Sequence, residues 1–530
     1  MAPQVDYSIY LVTDSTEPIL GQRDLVAVVE EALKGACRKY NVPLVINDRV
    51  DVALAVGCEG VHLGQDDMQV QSARKLLGPD KIIGATVSNI DEVRIAVEQG
   101  ADYLGIGTLY ATATKKNTKD IIGVNGVRKI LSYLGNHEDA KFKNVKTVCI
   151  GGVNLSNIQL IKHKLFAPGP ADVHGSRKTI DGVAIVSAIM SHTVNPQEAA
   201  AALKEAWNAM PAFGRPVEYQ PTRHPSLNEE FIALRTSTQH CMCNVHEASP
   251  LSHNMTNLVV QNFAASLALA IGASPIMSNN GAEAGDLAAL GGALVINMGT
   301  STPQTLVNQR QAIQAYNKQG RPVVLDPVGA GATAARKEAL QYLMDSGYFD
   351  VIKGNEKEIL AVAIASGCIP SKQGSKQRGV DSGASTLGKA EKAYYVSYLA
   401  RRERNIVLMT GETDIVSDGV RTYAISNGHE YLGLVTGSGC TLGTTISAYL
   451  AANPEDKLHA VVAAILHFEL AAEDAAKRED VQGPGTFIPA FIDELWKRRK
   501  GAVEGRNDWN ERARVSRFDG IADLGVLKEF

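Results

Sequence analysis

Gly433-Leu434-Val435-Thr436-Gly437-Ser438-Gly439-Cys440-Thr441-Leu442-Gly443-Thr444-Thr445 is the stretch on which the reading of this chain turns. A short apolar run (Leu432, Leu434, Val435) enters the small-residue turn Gly437-Ser438-Gly439. Small residues and Ile446 then continue as a closely packed helix. Three successive backbone amides at a helix start, with no bulky side chains, form an anion hole over the turn. Cys440 stands where the helix dipole and that hole would both lower a thiol pKa, which makes it a candidate base. A G-x-G-C turn alone is a weak signal, because such turns often only let a helix approach a strand. Its surroundings make it specific.

Upstream of it, Leu258–Leu269 reads as an apolar helix following Pro250–Asn257. Strands are expected at Leu294–Met298, Val323–Leu325, Val351–Ile352 and Ile406–Met409, with helices between them. This is the pattern of a doubly wound α/β domain, whose ligands sit outside the carboxyl ends of the strands. Those ends carry Asn297, Gly299-Thr300, Asp326 through Thr333, Lys353-Gly354-Asn355-Glu356-Lys357-Glu358 and Thr410-Gly411-Glu412. Glycines with carboxylates and a lysine suit a magnesium nucleotide, with amides for phosphates and carboxylates for the metal side. The G-x-x-x-x-G-K-[ST] loop is absent from this half, so another phosphate cradle is required.

The first half alternates short β-branched runs with helical patterns. Seven strands are expected: Ser8–Thr13, Leu44–Asn47, Gly60–Leu63, Ile82–Thr86, Tyr103–Ile106, Thr147–Ile150 and Val183–Val186. Helical stretches such as Leu25, Val28, Val29, Ala32 and Leu33 lie between them. Repeated βα units of this length predict a (β/α)8-type barrel. One strand of the eight is missing, because the helix through Glu30–Gly35 runs directly into Ala36–Tyr40. The strand ends carry Asn47-Asp48-Arg49, Gln65-Asp66-Asp67, Thr86, Thr112 through Lys116, Gly151-Gly152 and Ser187. Asp48 and Asp67 suit a Mg²⁺ ion held with substrate phosphates, Lys115 adds positive charge, and Gly151-Gly152 offer amides. Singly these residues are ordinary turn formers; together they describe a diphosphate site.

A chain of 530 residues exceeds one ordinary core. The expected division is a barrel over 1–210, a Pro-rich linker over 211–228 and the second α/β domain over 229–530. With 45% hydrophobic and 21% charged residues and a net charge of -4, the composition is that of a soluble enzyme and offers no electrostatic case for nucleic acid or membrane. Seven scattered cysteines without C-x-x-C pairs fit a reducing compartment. No basic leader or spanning apolar run is seen, so a cytoplasmic location is expected. Cys241-Met242-Cys243, with His240 and His246, matches no common zinc spacing and reads as an irregular helix or loop.

The motifs I-N-D-R-V-D-V-A-L-A-V-G, G-V-H-L-G-Q-D-D, T-A-T-K-K, I-G-G-V-N and V-A-I-V-S-A-I resemble thiamine-phosphate synthase over about Asp6–Ser191. That family is a (β/α)8 barrel joining hydroxymethylpyrimidine diphosphate to a thiazole phosphate with release of pyrophosphate. The resemblance implies Asp48 and Asp67 as Mg²⁺ ligands and Asn47, Thr86 and Lys115 as pyrimidine diphosphate contacts. It implies Thr112, Thr114, Gly152, Val186 and Ser187 around the thiazole phosphate. Thr86 stands where the family usually has Ser. The family's Gln-x-Arg-x-Lys strand, whose cations grip the diphosphate, has no counterpart here; its place is the Gly35–Ala36 junction.

The second half, ending in G-S-G-C, is similar to hydroxyethylthiazole kinase of the ribokinase-like group over about Glu229–Leu495. Most of that group place Asp where this chain has Cys440, whereas the thiazole kinases commonly carry Cys. The resemblance implies that Cys440 accepts the proton of the thiazole alcohol as it attacks the ATP γ-phosphate. Gly437 and Met277 would bind the thiazole. Lys353, which replaces a common Arg, would contact ATP with Thr410 and with Glu358 on the metal side. The resemblances imply that the two halves serve one pathway, as in the fused fungal thiamine enzymes. That resemblance implies a homo-oligomer acting on small molecules: hydroxyethylthiazole, its phosphate, the pyrimidine diphosphate and ATP.

Overall fold

In the computed structural model the described residues are 5–13, 37–111, 121–165, 178–190, 195–214, 227–369, 387–506 and 511–518. The chain divides into two compact units, Met1–Met210 and Pro211–Phe530.

The first unit carries the seven expected strands: β1 (Ile9–Leu11), β2 (Val45–Asn47), β3 (Gly60–Leu63), β4 (Ile82–Val87), β5 (Tyr103–Gly107), β6 (Lys146–Ile150) and β7 (Gly182–Ile185). They form one parallel sheet in the order β1-β7-β6-β5-β4-β3-β2. Among the described residues no pairing joins β1 to β2, which form the two edges of the sheet. The Leu25–Leu33 stretch and the Gly35–Ala36 junction lie outside the described residues. Side chains alternate along each strand. Ile83, Leu104, Cys149 and Val183 pack outward under helices, whereas Ile82, Tyr103, Val148 and Ala184 face inward with Tyr7 and Tyr10. Gly84 is required there, because a Cβ would fall 2.1 Å from the Tyr103 ring.

The second unit is a nine-stranded sheet of β8 (Leu251–Met255), β9 (Ser274–Ile276), β10 (Ala293–Asn297), β11 (Val323–Asp326), β12 (Val351–Asn355), β13 (Ile406–Thr410), β14 (Asp414–Ser417), β15 (Thr422–Ile425) and β16 (Val515–Arg517). The order is β16-β15-β14-β13-β12-β11-β10-β8-β9, with β8 through β13 parallel and the other three antiparallel. One face (Val324, Val351, Ile406, Leu408) packs on the helices Leu227–Ala248, Gln261–Ile271, Ser438–Ala452, Lys457–Ala476 and Pro484–Val503. The other (Leu325, Ile352, Val407, Met409) packs on Pro303–Lys318, Ala334–Ser346 and Lys389–Glu403. Both faces are covered, as a parallel sheet requires.

The structure differs from the sequence reading at four points. Pro250–Asn257 contains strand β8, whose Ser252, His253 and Asn254 are buried and satisfied by Ser447, Tyr316 and Thr444, among others. The Leu227–Ala248 helix covers Leu227 and Asn228, expected as linker. It also makes Cys241-Met242-Cys243 part of a regular helix, with Cys241 and Met242 in the core. The expected helix Leu258–Leu269 begins later, at Gln261, and ends at Ile271, where Gly272 takes a left-handed conformation.

Candidate active sites

In the second unit the helix Ser438–Ala452 starts from Gly437, whose φ of 89° suits glycine and whose absent Cβ leaves room for Val260. Beneath the turn lies a connected polar layer. Asn297 and Asp326 are register partners at the ends of β10 and β11, and Asn297 Nδ2 donates to Asp326 Oδ2 at 2.8 Å. The same oxygen meets Lys353 Nζ at 3.0 Å. Asn257 Nδ2 donates to Asn297 Oδ1 at 3.1 Å and to Cys440 Sγ at 3.5 Å. Lys353 and Asp326 are 3% and 1% exposed, so their pairing is what makes their burial tolerable. Burial works against the Lys353 ammonium, but Asp326, then Cys440 and Glu358, together outweigh burial and hold the group above its usual range.

Cys440 departs from expectation. Its thiol is pushed up, not down, to about 12, first by burial and then by the Asp326 charge; Lys353 and the amides of Asn297 and Asn257 oppose this only in part. Desolvation of a thiolate here outweighs the helix terminus. Cys440 therefore holds its proton at neutral pH.

Glu358 staples two strand-end loops. Its Oε1 accepts from Gly329 N at 2.8 Å and its Oε2 from Asn355 N at 2.9 Å, while Asn355 caps the Glu356–Ala365 helix in return. Burial, with the Asp326 charge next, raises its pKa. Thr410 ends β13 in register with Asn355, and Met277 follows β9, partly buried. Sequence reasoning missed Arg336, which donates to the carbonyls of Val328, Met298 and Gly299 and so ties the ends of β10 and β11 together. It missed Asn257 as well, which no spacing marks.

In the first unit, Asn47 pairs in register with His62, and Asp48 N donates to His62 O at 2.9 Å. Asp48 has φ 62°, a left-handed turn that Asp tolerates better than most residues. Asp67 Oδ2 accepts from Gly64 N at 2.6 Å. Thr86 Oγ1 lies 2.9 Å from His62 Nε2, His62 Nδ1 lies 2.9 Å from Tyr103 OH, and Tyr103 reaches Tyr10 at 3.0 Å. This inward chain ties four strands together, and His62 is its unpredicted centre. Gly151 and Gly152 both have positive φ, and a Cβ on Gly151 would sit 2.9 Å from Leu109 N. Val186 is partly buried and Ser187 opens a short helix on the surface. Thr112, Thr114 and Lys115 lie outside the described residues.

Asp48 and Asp67 present only oxygens at neighbouring strand ends, the donor type that Mg²⁺ takes. No group of three or more His, Cys, Asp or Glu gathers among the described residues, so a metal there would draw further ligands from substrate and water. No helix of the described residues is long and apolar enough to cross a membrane.

Residues 242–500 match the Hydroxyethylthiazole kinase family, and residues 17–189 match Thiamine monophosphate synthase. The chain is 40% identical to a "Probable thiamine biosynthetic bifunctional enzyme" of Schizosaccharomyces pombe, over 98% of this chain and 100% of that one. It is 36% identical to the "Thiamine biosynthetic bifunctional enzyme" of Saccharomyces cerevisiae, over 93% and 96%. A "Hydroxyethylthiazole kinase" of Moorella thermoacetica is 41% identical over 48% of this chain and 89% of its own. The alignment with the S. pombe protein spans 551 positions, more than the 530 residues of this chain, so that relative carries segments with no counterpart here.

Proposed function

This chain belongs to the family of bifunctional thiamine biosynthetic enzymes, a thiamine-phosphate synthase unit fused to a hydroxyethylthiazole kinase unit, and from that premise we infer how its residues divide the work. The second unit phosphorylates hydroxyethylthiazole with ATP. The first joins the thiazole phosphate to hydroxymethylpyrimidine diphosphate, releasing pyrophosphate and forming thiamine phosphate. The observation that carries the kinase reading is the unbroken chain from Lys353 through Asp326, Asn297 and Asn257 to Cys440, directly below the Gly437 turn.

In the kinase unit, Gly437 and Met277 hold the thiazole, while Lys353, Thr410 and Glu358 face ATP. The alcohol oxygen forms the new bond to the γ-phosphorus as the bridging bond to ADP breaks, and the alcohol proton passes to the Cys440 sulfur. With its thiol raised to about 12, Cys440 acts through a small thiolate fraction, but that thiolate is better matched to an alcohol than an ordinary one. Most of the acceleration then falls to positioning and to the amides of the Gly437–Gly439 turn, which face the transferring phosphoryl group.

In the barrel unit, Asn47, Thr86 and Lys115 contact the pyrimidine diphosphate, and Thr112, Thr114, Gly152, Val186 and Ser187 contact the thiazole phosphate. Asp48 and Asp67 are the residues that would hold Mg²⁺, which when bound offsets charge on the diphosphate. His62 keeps Thr86 in place. A homo-oligomer in the cytoplasm completes the proposal. The exposed Leu258, Val259 and Leu434, close in sequence to Val260 and the Gly437 turn, support association, which light scattering tests.

The deciding experiment is one incubation of the full chain with hydroxyethylthiazole, ATP, Mg²⁺ and the pyrimidine diphosphate, resolving thiazole phosphate from thiamine phosphate. Both products are expected. Thiazole phosphate alone would leave a kinase with an inert barrel, the reading that the open edge at β2 favours.

A further inference from the structure

Gly411 lies in the turn between β13 and β14, beside Thr410. Its amide donates to Asp414 Oδ1 at 2.9 Å, so Asp414 determines where that turn's backbone sits. Asp414 is 4% exposed. It also faces Glu469, which is 6% exposed in the middle of the Lys457–Ala476 helix that packs on β14. Glu469 Oε2 is buried with no donor directed at it among the described residues. Two ionised carboxylates have nothing to donate to each other, so the contact is complete only with one proton between them.

The charged groups around the pair do not replace that proton. Lys353 on β12 acts on Asp414 from a distance but is already paired with Asp326. Glu473, one turn along the helix from Glu469, adds negative charge. Arg514 opposes it but is bonded to Glu473, as is Arg512. The same helix face also holds the loop that leads to the Gly437 turn, because Glu473 Oε1 accepts from Gly428 N at 3.2 Å and from Asn427 Nδ2 at 2.9 Å.

We infer that Glu469 is a positioning residue of the kinase site: acting through Asp414, it holds the Gly411 amide, and with it Thr410, where the nucleotide meets the turn. The inference rests on the kinase reading above. Burial raises Asp414 to about 6, and burial with the Asp414 charge raises Glu469 well above the carboxylate range. The pair is therefore biased towards sharing one proton, and losing it as pH rises would set two facing charges against each other beside the turn.

The test measures KM for ATP and for hydroxyethylthiazole on the full chain between about pH 6 and about pH 10. Glu469→Leu is expected to raise KM for ATP by about fivefold to tenfold while KM for the thiazole changes by less than about twofold. Glu469→Gln, whose amide donates permanently to Asp414, is expected to restore the neutral value. It should also remove the alkaline rise in KM for ATP shown by the unmodified chain. An unchanged KM in Glu469→Leu overturns the inference, as does an alkaline rise of equal size in Glu469→Gln. If Glu469→Leu does not fold, the Glu469→Gln profile decides alone. Failure of the unmodified chain to phosphorylate the thiazole would overturn the kinase reading and this inference with it, whereas an active chain with insensitive variants overturns the inference only.

Discussion

Asp326 ends β11, sits between two hydrogen-bonding neighbours and is 1% exposed; Asp48 follows β2, at the edge of its sheet, and is exposed. Both are acids at the carboxyl end of a parallel strand, yet their surroundings differ. β11 has β10 on one side and β12 on the other, which bring Asn297 and Lys353 to the same carboxylate. Among the described residues β2 has only β3 beside it, and Arg49 next to Asp48 pairs with Asp51 in solvent. Preorganisation thus depends on neighbouring strands as much as on the acid. The layer around Asp326 has its electrostatics assembled within the fold itself. The barrel site would rely on its substrates and Mg²⁺ to complete it.

The largest effect expected from breaking the contrast is at Lys353. Lys353→Met strands the buried Asp326 carboxylate and should cost about 3–5 kcal/mol in denaturant unfolding of the second unit, with loss of kinase activity. A cost near that of a surface lysine would show the polar layer to be less connected than its geometry. Next comes Cys440: Cys440→Ala should lower kinase kcat by about a thousandfold, while Cys440→Asp, which restores a base, keeps substantially more. Equal losses would remove Cys440 from the proton-accepting role. Because the thiol is raised to about 12, kcat of the unmodified chain should still be climbing at the alkaline end of its profile, and Cys440→Asp should flatten it.

The barrel gives the matching smaller test. Asp48→Asn or Asp67→Asn should reduce thiamine phosphate formation by about a hundredfold, with weaker dependence on Mg²⁺, and leave thiazole phosphorylation within about twofold. A parallel loss of kinase activity would contradict two separate sites.

The smallest effect is the acid response of the second unit. His467 Nε2 is placed to donate to Leu495 O at 2.9 Å, which leaves Nδ1 to accept from Tyr449 OH at 2.8 Å. The ring is held neutral, and burial depresses its pKa to about 4. The unfolded chain binds the proton more readily between pH 6.5 and 4, so this contribution to stability is complete above that window and falls as pH drops through it. The loss should reach about 2 kcal/mol by pH 5. His467→Gln, melted beside the unmodified chain, should show a shallower acid slope, and an identical slope would place the sensitivity elsewhere.

Local patterns in the sequence were enough for the seven strands of the first unit, the parallel core of the second unit and the Gly437 turn before its helix. Apolar periodicity and small-residue turns are short-range signals, and covering both faces of a parallel sheet enforces them. Strand β8 was hidden because Ser252, His253 and Asn254 look like loop residues until Ser447, Tyr316 and Thr444 arrive from elsewhere to satisfy them. Strand β16, far along the chain, joins the sheet edge through β15, with Arg512 and Arg514 just before it held by Glu473. The Asp414–Glu469 contact likewise joins positions with no local relation.

The sequence by itself determined most of the strands and placed candidate residues at their carboxyl ends. Only the tertiary structure decided their state. It buried Cys440 beside Asp326 and raised a thiol that its helix terminus alone would have lowered. The reason is that a charge responds to every group brought within a few ångströms, and those neighbours are chosen by the fold, not by order along the chain.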